Sequence, residues 1–225
     1  MSIRWESYRG NERSENRDFG FFMKCFNTDI LVVVDGGNNG DRPKDFVVSF
    51  VDSLRKAIKK LTKIETPKAF IKALGITRAT LKGKYIKETL CYSVLLLNHS
   101  KRACWAVSCG DCRVGSIDGA TGEVIWRTNV HTLANWDGQF FSGDHLCRDG
   151  ISVVTRCFSL KRYCEPEIVQ LDYEVGTWCL ATDGYWLEKQ MQGMTICSDD
   201  TSILVYNNNI NDMEIFNPEN FFYEK

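Results

Sequence analysis

Five aspartates stand at the ends of apolar runs or beside glycine, and their positions suggest a shared chemistry. They are Asp18, Asp35, Asp111, Asp183 and Asp199. Apolar runs precede Asp35 and Asp183 and follow Asp199, and runs of this length are typical of buried strands. Carboxylates at strand ends repel one another, and they keep their charge most easily when a cation lies among them. Because hard divalent cations prefer oxygen ligands, the pattern predicts a magnesium or manganese site.

Length and composition indicate an ordinary globular protein. The chain has 225 residues, 44% of them hydrophobic, and a formal net charge of -1. This length fits a single domain spanning residues 1–225, with a polar and aromatic tail at 207–225 whose docking the sequence leaves open. No long basic block suggests nucleic acid as a partner, and no apolar stretch or signal pattern suggests a membrane. We therefore expect a cytoplasmic protein.

Changes of periodicity along the chain predict a β-rich fold with two main helices. Apolar residues at helical spacing predict an amphipathic helix over residues 42–61, and Pro67 lies near the first turn of a second helix. A third is expected after Asp183, whereas residues 128–150 are typical of a surface loop. Because strands outnumber helices, we expect largely antiparallel sheets covered by helices. The predicted strands are 19–24, 29–35, 89–98, 102–108, 112–117, 123–127, 151–155, 167–171, 177–182 and 202–206.

Five short segments form an ordered set of motifs along nearly the whole chain. They read Arg13-Ser14-Glu15-Asn16-Arg17-Asp18, Val33-Val34-Asp35-Gly36-Gly37-Asn38-Asn39, Gly110-Asp111-Cys112-Arg113, Thr182-Asp183-Gly184-Tyr185-Trp186-Leu187 and Asp199-Asp200-Thr201-Ser202. Any one of them alone is a weak signal, but all five in this order are specific. The chain resembles a compact, bacterial-type member of the PP2C (PPM) family of metal-dependent serine/threonine protein phosphatases.

The resemblance implies a fold and a chemistry. The fold is of the α+β class, a four-layer α/β/β/α sandwich of two antiparallel sheets flanked by helices. The chemistry is hydrolysis of phosphoserine and phosphothreonine in phosphoproteins by a water that bridges two Mn2+ or Mg2+ ions, which reverses a partner protein kinase. By this resemblance Asp35 would bridge the ions, Asp18 and the Gly36 carbonyl would hold one of them, and Asp183 and Asp199 would hold the other.

The resemblance also assigns a phosphate contact and a third metal position. Arg13 would grip the phosphate oxygens, to which a guanidinium fork is well suited. Asp111 would hold a third ion together with Asp183, but Leu187 stands where the family usually has a further Asp. We therefore expect two well-occupied ions and at most a weak third.

Other departures from the family pattern lie close to the expected metal ligands. Arg17 replaces the usual acidic or amide residue beside Asp18, which would either weaken the adjoining ion or add a phosphate contact. Asn38 and Asn39 replace two glycines, and Gly37 cannot donate a proton to a leaving group. The loop at 128–150 is short for the flap that helps to select substrates in this family.

Alternative interpretations remain open from the residues alone. Aspartates at strand ends are often turn residues or helix caps, and Asp111 fits a structural role beside Arg113 equally well. Arg13 could be ordinary surface charge. A pseudophosphatase that acts as a regulatory binding module, with Arg17 impairing turnover, is the main alternative to an active enzyme. The isolated CxxC motif, Cys109 to Cys112, leaves a redox protein as a third interpretation.

Overall fold

A computed structural model describes residues 1–61, 63–208, 212–216 and 218–224. Strands dominate this part of the chain, together with two long helices, α1 (Pro43–Lys60) and α2 (Pro67–Leu81). The strands are β1 (Ser2–Tyr8), β2 (Phe19–Cys25), β3 (Thr28–Gly36), β4 (Thr89–Asn98), β5 (Ala103–Cys109), β6 (Arg113–Ile117), β7 (Val124–Trp126), β8 (Phe158–Ser159), β9 (Glu167–Leu171), β10 (Thr177–Ala181), β11 (Thr201–Asn207), β12 (Met213–Phe216) and β13 (Phe221–Glu224).

The strands form two sheets. The six-stranded sheet has the order β12-β1-β11-β10-β6-β7. The seven-stranded sheet has the order β13-β2-β3-β4-β5-β9, with β8 paired to β4. All pairs are antiparallel except two edge pairs, β1 with β12 and β2 with β13, which are parallel. The sheets are therefore mixed at one edge each and antiparallel elsewhere, in agreement with the largely antiparallel pairing that the sequence predicted.

Three layers of apolar side chains hold the sandwich together. One lies between the two sheets and includes Trp5, Phe22 and Trp178, all buried. A second lies between the seven-stranded sheet and the helices, because the apolar stripe of α1 faces that sheet. The third covers the outer face of the six-stranded sheet and includes Phe141 and Trp186. The predicted α+β sandwich is confirmed.

Local chemistry explains where the long helices begin. Each has a proline in its first turn. Backbone N–H groups in the first turn have no acceptor within the helix, so a residue without an N–H breaks no helical hydrogen bond there. Thr66 caps α2, since its side-chain oxygen accepts from the backbone N–H of Ala69 at 3.4 Å. The expected third helix is a π-helical turn at Gly184–Lys189 followed by a short α-helical turn, Gln190–Gln192.

Several strand predictions need correction. The strand predicted at 151–155 is wrong, because the structure has only one isolated bridge there, between Thr132 and Val154. β8 lies a few residues later instead. β1 was missed, and so were β12 and β13 in the tail. Residues 209–211, 217 and 225 of that tail lie outside the described residues, but Phe221 of β13 stacks on Trp5 at a ring distance of 5.4 Å.

A buried carboxylate ties the two sheets together at the end of β3 opposite to Asp35. Asp29 of β3 is 1% exposed, and its Oδ2 accepts from the Tyr206 hydroxyl of β11 at 2.7 Å. The Nε2 of His99 lies 3.0 Å from the same oxygen, and Lys24 Nζ lies 3.9 Å from Oδ1. The chain therefore supplies a hydrogen-bond donor to Oδ2, while Oδ1 is buried without a hydrogen-bond partner among the described residues.

We expect Tyr206→Phe to lower the free energy of unfolding by about 1–3 kcal/mol, because it removes a donor from a buried carboxylate. Urea unfolding followed by fluorescence measures the change. Tyr85→Phe is the matched control, since its hydroxyl bonds Ser49 Oγ at 3.0 Å in a half-buried position and should cost less. Equal losses in the two variants would contradict the role of the Tyr206–Asp29 bond.

Candidate metal and phosphate site

The five aspartates lie at one end of the sandwich, where strands of both sheets begin or end. Asp35 is in the last two residues of β3, and Asp18 directly precedes β2. Asp111 lies between β5 and β6, Asp183 follows β10, and Asp199 precedes β11. Because neighbouring strands here are antiparallel, the end of one strand and the beginning of the next meet at the same edge. The fold thus brings together side chains that are far apart in sequence.

Burial and mutual repulsion change how these carboxyl groups titrate. The pKa of Asp35 is raised well above its usual value, first by burial and then by the charges of Asp183, Asp18, Asp111 and Asp199. Burial is also the largest cause of the raised pKa values of Asp18, Asp183 and Asp111. The cluster concentrates negative charge in a place where water stabilises it poorly.

The hydrogen bonds of these carboxylates are incomplete. Asp18 Oδ2 accepts from the Thr182 hydroxyl at 2.9 Å, but its buried Oδ1 has no partner among the described residues. Asp111 Oδ1 is also buried without one. Asp183 Oδ1 accepts from the backbone N–H of Gly184 at 2.8 Å, so Asp183 does cap the helical turn that follows, as the alternative interpretation has it.

Arginine side chains stand beside the cluster. Arg13 forms a two-pronged ion pair with Asp199, with Nε donating to Oδ1 at 2.7 Å and Nη2 to Oδ2. Arg13 Nη1 donates to Oδ1 of Asn38, and Arg17 Nη1 donates to the same oxygen at 2.9 Å. The pKa of Arg13 is raised, chiefly by its bond to Asp199. Arg13 thus lies beside the cluster, where it contacts a carboxylate and an amide.

Asp200 has a positioning role that the sequence analysis did not assign. Its Oδ1 accepts from the backbone N–H of Gly10 at 2.9 Å, and its Oδ2 accepts from that of Arg17 at 2.7 Å. These bonds hold the connection between β1 and β2 against the start of β11. Asn16 holds the same connection, because its Oδ1 accepts from the N–H of Asp18 at 2.9 Å. The only signal in the sequence was their place next to predicted site residues.

Two glycines permit the close packing of these connections. A methyl group on Gly36 would lie 2.9 Å from Val47 Cγ2 and 3.0 Å from Arg17 Cβ. A methyl group on Gly184 would lie 2.0 Å from the Asp200 carbonyl oxygen, which is backbone and cannot swing aside. The glycine that follows Asp35 and the one that follows Asp183 are therefore required sterically, whether or not the Gly36 carbonyl binds a metal.

Trp186 bonds the backbone of Asp111, whereas Leu187 belongs to an apolar layer. The indole N–H of Trp186 donates to the Asp111 backbone oxygen at 2.8 Å. Leu187 packs against the apolar layer on the outer face of the six-stranded sheet, so it supplies no oxygen at the third metal position. Arg113 is buried under aromatic rings, and its Nη2 donates to the Thr128 carbonyl at 3.2 Å. Arg113 therefore anchors the loop that follows β7.

Cys109 and Cys112 of the CxxC motif, and His131, lie in positions that favour structural roles. Cys109 and Cys112 are buried free thiols, and burial raises the pKa of Cys109 to about 12. Raised thiol pKa values disfavour the thiolate that redox exchange requires. His131 bonds the backbone of Gly110 through Nδ1 at 3.1 Å, while its Nε2 lies 3.5 Å from Glu167. It shapes the turn that carries Asp111.

The donor chemistry of the site fits divalent cations. Within the described ranges, no group of three or more His, Cys, Asp or Glu side chains is arranged so that it could already hold a metal ion. However, the five aspartates offer only oxygen ligands, two of their buried oxygens lack partners, and their repulsion would be relieved by bound positive charge. On this chemistry Asp18, Asp35, Asp183 and Asp199 are suited to hold Mg2+ or Mn2+.

The raised carboxyl pKa values predict how pH and metal affect stability. Because the folded-state pKa values of Asp18, Asp35 and Asp183 lie above the ordinary value of 3.8, the folded protein holds more protons. These bound protons contribute their whole share of the folding stability at pH values below the carboxyl pKa of the unfolded chain. That contribution is lost as the pH rises through the higher pKa values of the folded protein. Mn2+ needs the deprotonated form, so it should raise the melting temperature more at about pH 7.5 than at about pH 5.5.

Thermal melts with Mn2+ or with chelator at both pH values measure this difference. Asp183→Asn should reduce the manganese effect, whereas Asp144→Asn, at an exposed position, should leave it unchanged. Equal stabilisation by Mn2+ at the two pH values, or in the Asp183→Asn variant, would show that the cluster does not bind the ion.

Comparisons with known proteins identify the fold. No family model matches the sequence, and no curated protein does. Among solved structures, the PPM Ser-Thr phosphatase MsPP from Mycobacterium smegmatis, in complex with cacodylate, aligns over 92% of this chain and 98% of its own, with 14% identity and a TM-score of 0.75. Serine/threonine phosphatase Stp1 from Staphylococcus aureus aligns over 92% and 95%, with 15% identity and a TM-score of 0.72.

A third similar structure contains metal ions. The catalytic domain of the serine threonine protein phosphatase PstP, in complex with two manganese ions, aligns over 91% of this chain and 97% of its own, with 14% identity and a TM-score of 0.63. Identities this low establish the architecture and no more. This chain has the PP2C-like fold of the PPM serine/threonine phosphatases.

Proposed function

We propose that this protein is a metal-dependent phosphoprotein phosphatase that hydrolyses phosphoserine and phosphothreonine. One observation carries the proposal: five aspartates from both sheets meet at one end of a PP2C-like fold, beside the guanidinium groups of Arg13 and Arg17. Negative groups that can hold cations and positive groups that can hold a phosphate lie side by side. Phosphoryl transfer needs mainly positioning and neutralisation of charge, and this arrangement offers both.

Asp35, with its place among Asp18, Asp183 and Asp199, would hold Mn2+ or Mg2+ ions together with these three carboxylates and the neighbouring Gly36 carbonyl. Bound divalent ions supply neutralisation of phosphate charge and lower the pKa of water. Thr182 orients the Asp18 carboxylate through its hydroxyl, at 2.9 Å.

Other residues orient the remaining groups. Arg13 fixes Asp199 through its two-pronged contact. Gly37 has no side chain, so the proton for the leaving group must come from another donor.

The substrates follow from this proposal. MsPP, Stp1 and PstP are serine/threonine phosphatases, and we extend that substrate class to this chain as a hypothesis. A phosphoprotein substrate implies a protein kinase whose action is reversed, and we propose a cytoplasmic location for both. In the described part of the chain, no helix is long and apolar enough to cross a bilayer.

A regulatory binding module is the second candidate function. The observation that favours it is the pairing of Arg13 with Asp199, which occupies one edge of the guanidinium group expected to hold phosphate. Such a module would bind phosphorylated protein without hydrolysing it. Turnover of phosphate esters therefore separates the two functions.

We expect the protein to hydrolyse a generic phosphomonoester with Mn2+ and to lose this activity with chelator. Asp35→Asn should abolish measurable turnover, because the central ligand loses its charge. Release of inorganic phosphate is the measurement, with Asp144→Asn as the exposed control. Wild-type turnover by Asp35→Asn would refute the role of Asp35, and an inactive wild-type protein would favour the binding module.

We expect Leu187→Asp to strengthen a third metal position and to raise turnover at low Mn2+ concentration, since Asp111 and Asp183 then gain a third carboxylate. Leu187→Asn is the matched control, because it brings the same loss of apolar packing without the charge. Calorimetric titration with Mn2+ counts the ions. A third tight ion in the native protein would contradict the prediction that this position is weak.

A further inference from the structure

Asn38 lies between two guanidinium groups. Its Oδ1 accepts hydrogen bonds from Arg13 and from Arg17, the latter at 2.9 Å. Two like charges therefore converge on one neutral oxygen. Asp199 compensates the charge of Arg13, but a neutral amide oxygen offsets little of the charge of Arg17, so this point favours an anion.

The remaining contacts of Arg13 determine where an anion can reach it. Its Nε and Nη2 atoms are bound to Asp199, so that edge of the fork is closed. Nη1, on the other side, donates to Asn38. A phosphate that binds Arg13 on the Nη1 side, next to Arg17, therefore takes the place of the Asn38 amide oxygen. In doing so it also meets the guanidinium of Arg17.

The backbone of Arg17 is held in place, but its guanidinium group has hydrogen-bond donors without partners among the described residues. Its backbone N–H is fixed by Asp200 Oδ2 at 2.7 Å, and its Cβ packs against Gly36. Its Nε is buried and has no hydrogen-bond partner among the described residues. Within those residues Arg17 also forms no ion pair with a carboxylate, in contrast to Arg13. An unpaired buried donor beside an exposed amide points to a ligand with several acceptor oxygens.

Asn38 itself can move. It is exposed, and it belongs to the connection between β3 and α1, outside the regular elements. Rotation of its side chain away from the site opens the space between the two guanidinium groups without breaking a strand or a helix.

We propose that Arg13 and Arg17 form a two-guanidinium phosphate clamp, in which the Asn38 side chain occupies the position that the phosphate takes on binding. This deepens the proposed function, on which its catalytic meaning rests. Arg17 is then a phosphate-binding residue and not a defect of the metal site. The clamp favours phosphomonoesters, whose dianionic group offers three terminal oxygens, over phosphodiesters.

Calorimetric titration with inorganic phosphate in the presence of chelator tests the clamp without turnover. Arg17→Gln should weaken phosphate binding by about tenfold or more, since a charge-assisted contact is lost. Asn38→Asp should weaken it similarly, because a fixed carboxylate then occupies the clamp. Asn38→Gly should leave binding unchanged or tighter. Arg102→Gln, an exposed arginine in the turn between β4 and β5, controls for net charge.

A second arm uses a small phosphomonoester with Mn2+. Arg17→Gln should raise KM by a similar factor with a smaller effect on kcat, and Arg17→Lys should recover part of the loss because it keeps the charge but not the fork. Unchanged melting temperatures show that the variants fold.

The two arms keep the hypotheses separate. Unchanged phosphate affinity in Arg17→Gln, or a loss in Asn38→Gly equal to that in Arg17→Gln, would overturn the clamp while leaving manganese-dependent turnover intact. Absence of turnover in the wild-type protein would overturn the proposed function, but the calorimetric result would still decide whether the clamp exists.

Discussion

Repulsion among buried and half-buried carboxylates is the constraint on which this structure depends. Asp18, Asp35 and Asp183 are each surrounded by other aspartates, and burial raises the pKa of every one of them. Such a cluster opposes folding unless something else holds the strand ends together. Three apolar layers do this, because they fix both sheets and the helices independently of the charged end. The site is thus a strained feature placed on a rigid support, as preorganised binding sites require.

Buried aspartates at the two ends of the sandwich have different surroundings. At one end Asp29 is bonded by Tyr206 and contacted by His99 and Lys24, all from the protein itself. At the other end Asp18 keeps a buried oxygen with no partner in the described part of the chain. The first arrangement joins the two sheets directly, although Asp29 Oδ1 also has no hydrogen-bond partner among the described residues. At the second, several carboxylates converge and repel one another, and a bound cation would relieve that repulsion.

Positive charge is placed just as selectively. Arg13 neutralises Asp199, whereas Arg17 shares Asn38 with Arg13 and has no carboxylate of its own among the described residues. Arg17 and Asn38 both depart from the family motifs, and the structure shows that these two departures contact each other. They therefore form one local change beside the carboxylate cluster, which keeps all five aspartates.

The sequence by itself determined the long elements and the order of the motifs, because both are local. The strand predicted at 29–35 and the helix predicted at 42–61 appear as β3 and α1, since their apolar periodicity covers many residues. The strand expected at 151–155 is absent, and β1, β12 and β13 were missed, because these strands pair with partners far along the chain.

Only the tertiary structure decided how the charged groups pair. Arg13 meets Asp199 across 186 positions, and Asp200 holds Gly10 across 190. The sequence marked Arg13 as a candidate but did not indicate that a carboxylate would take one edge of its fork. The partners of a long side chain depend on which groups the fold brings close to it. That in turn depends on distances between strand ends, which a local sequence pattern cannot predict.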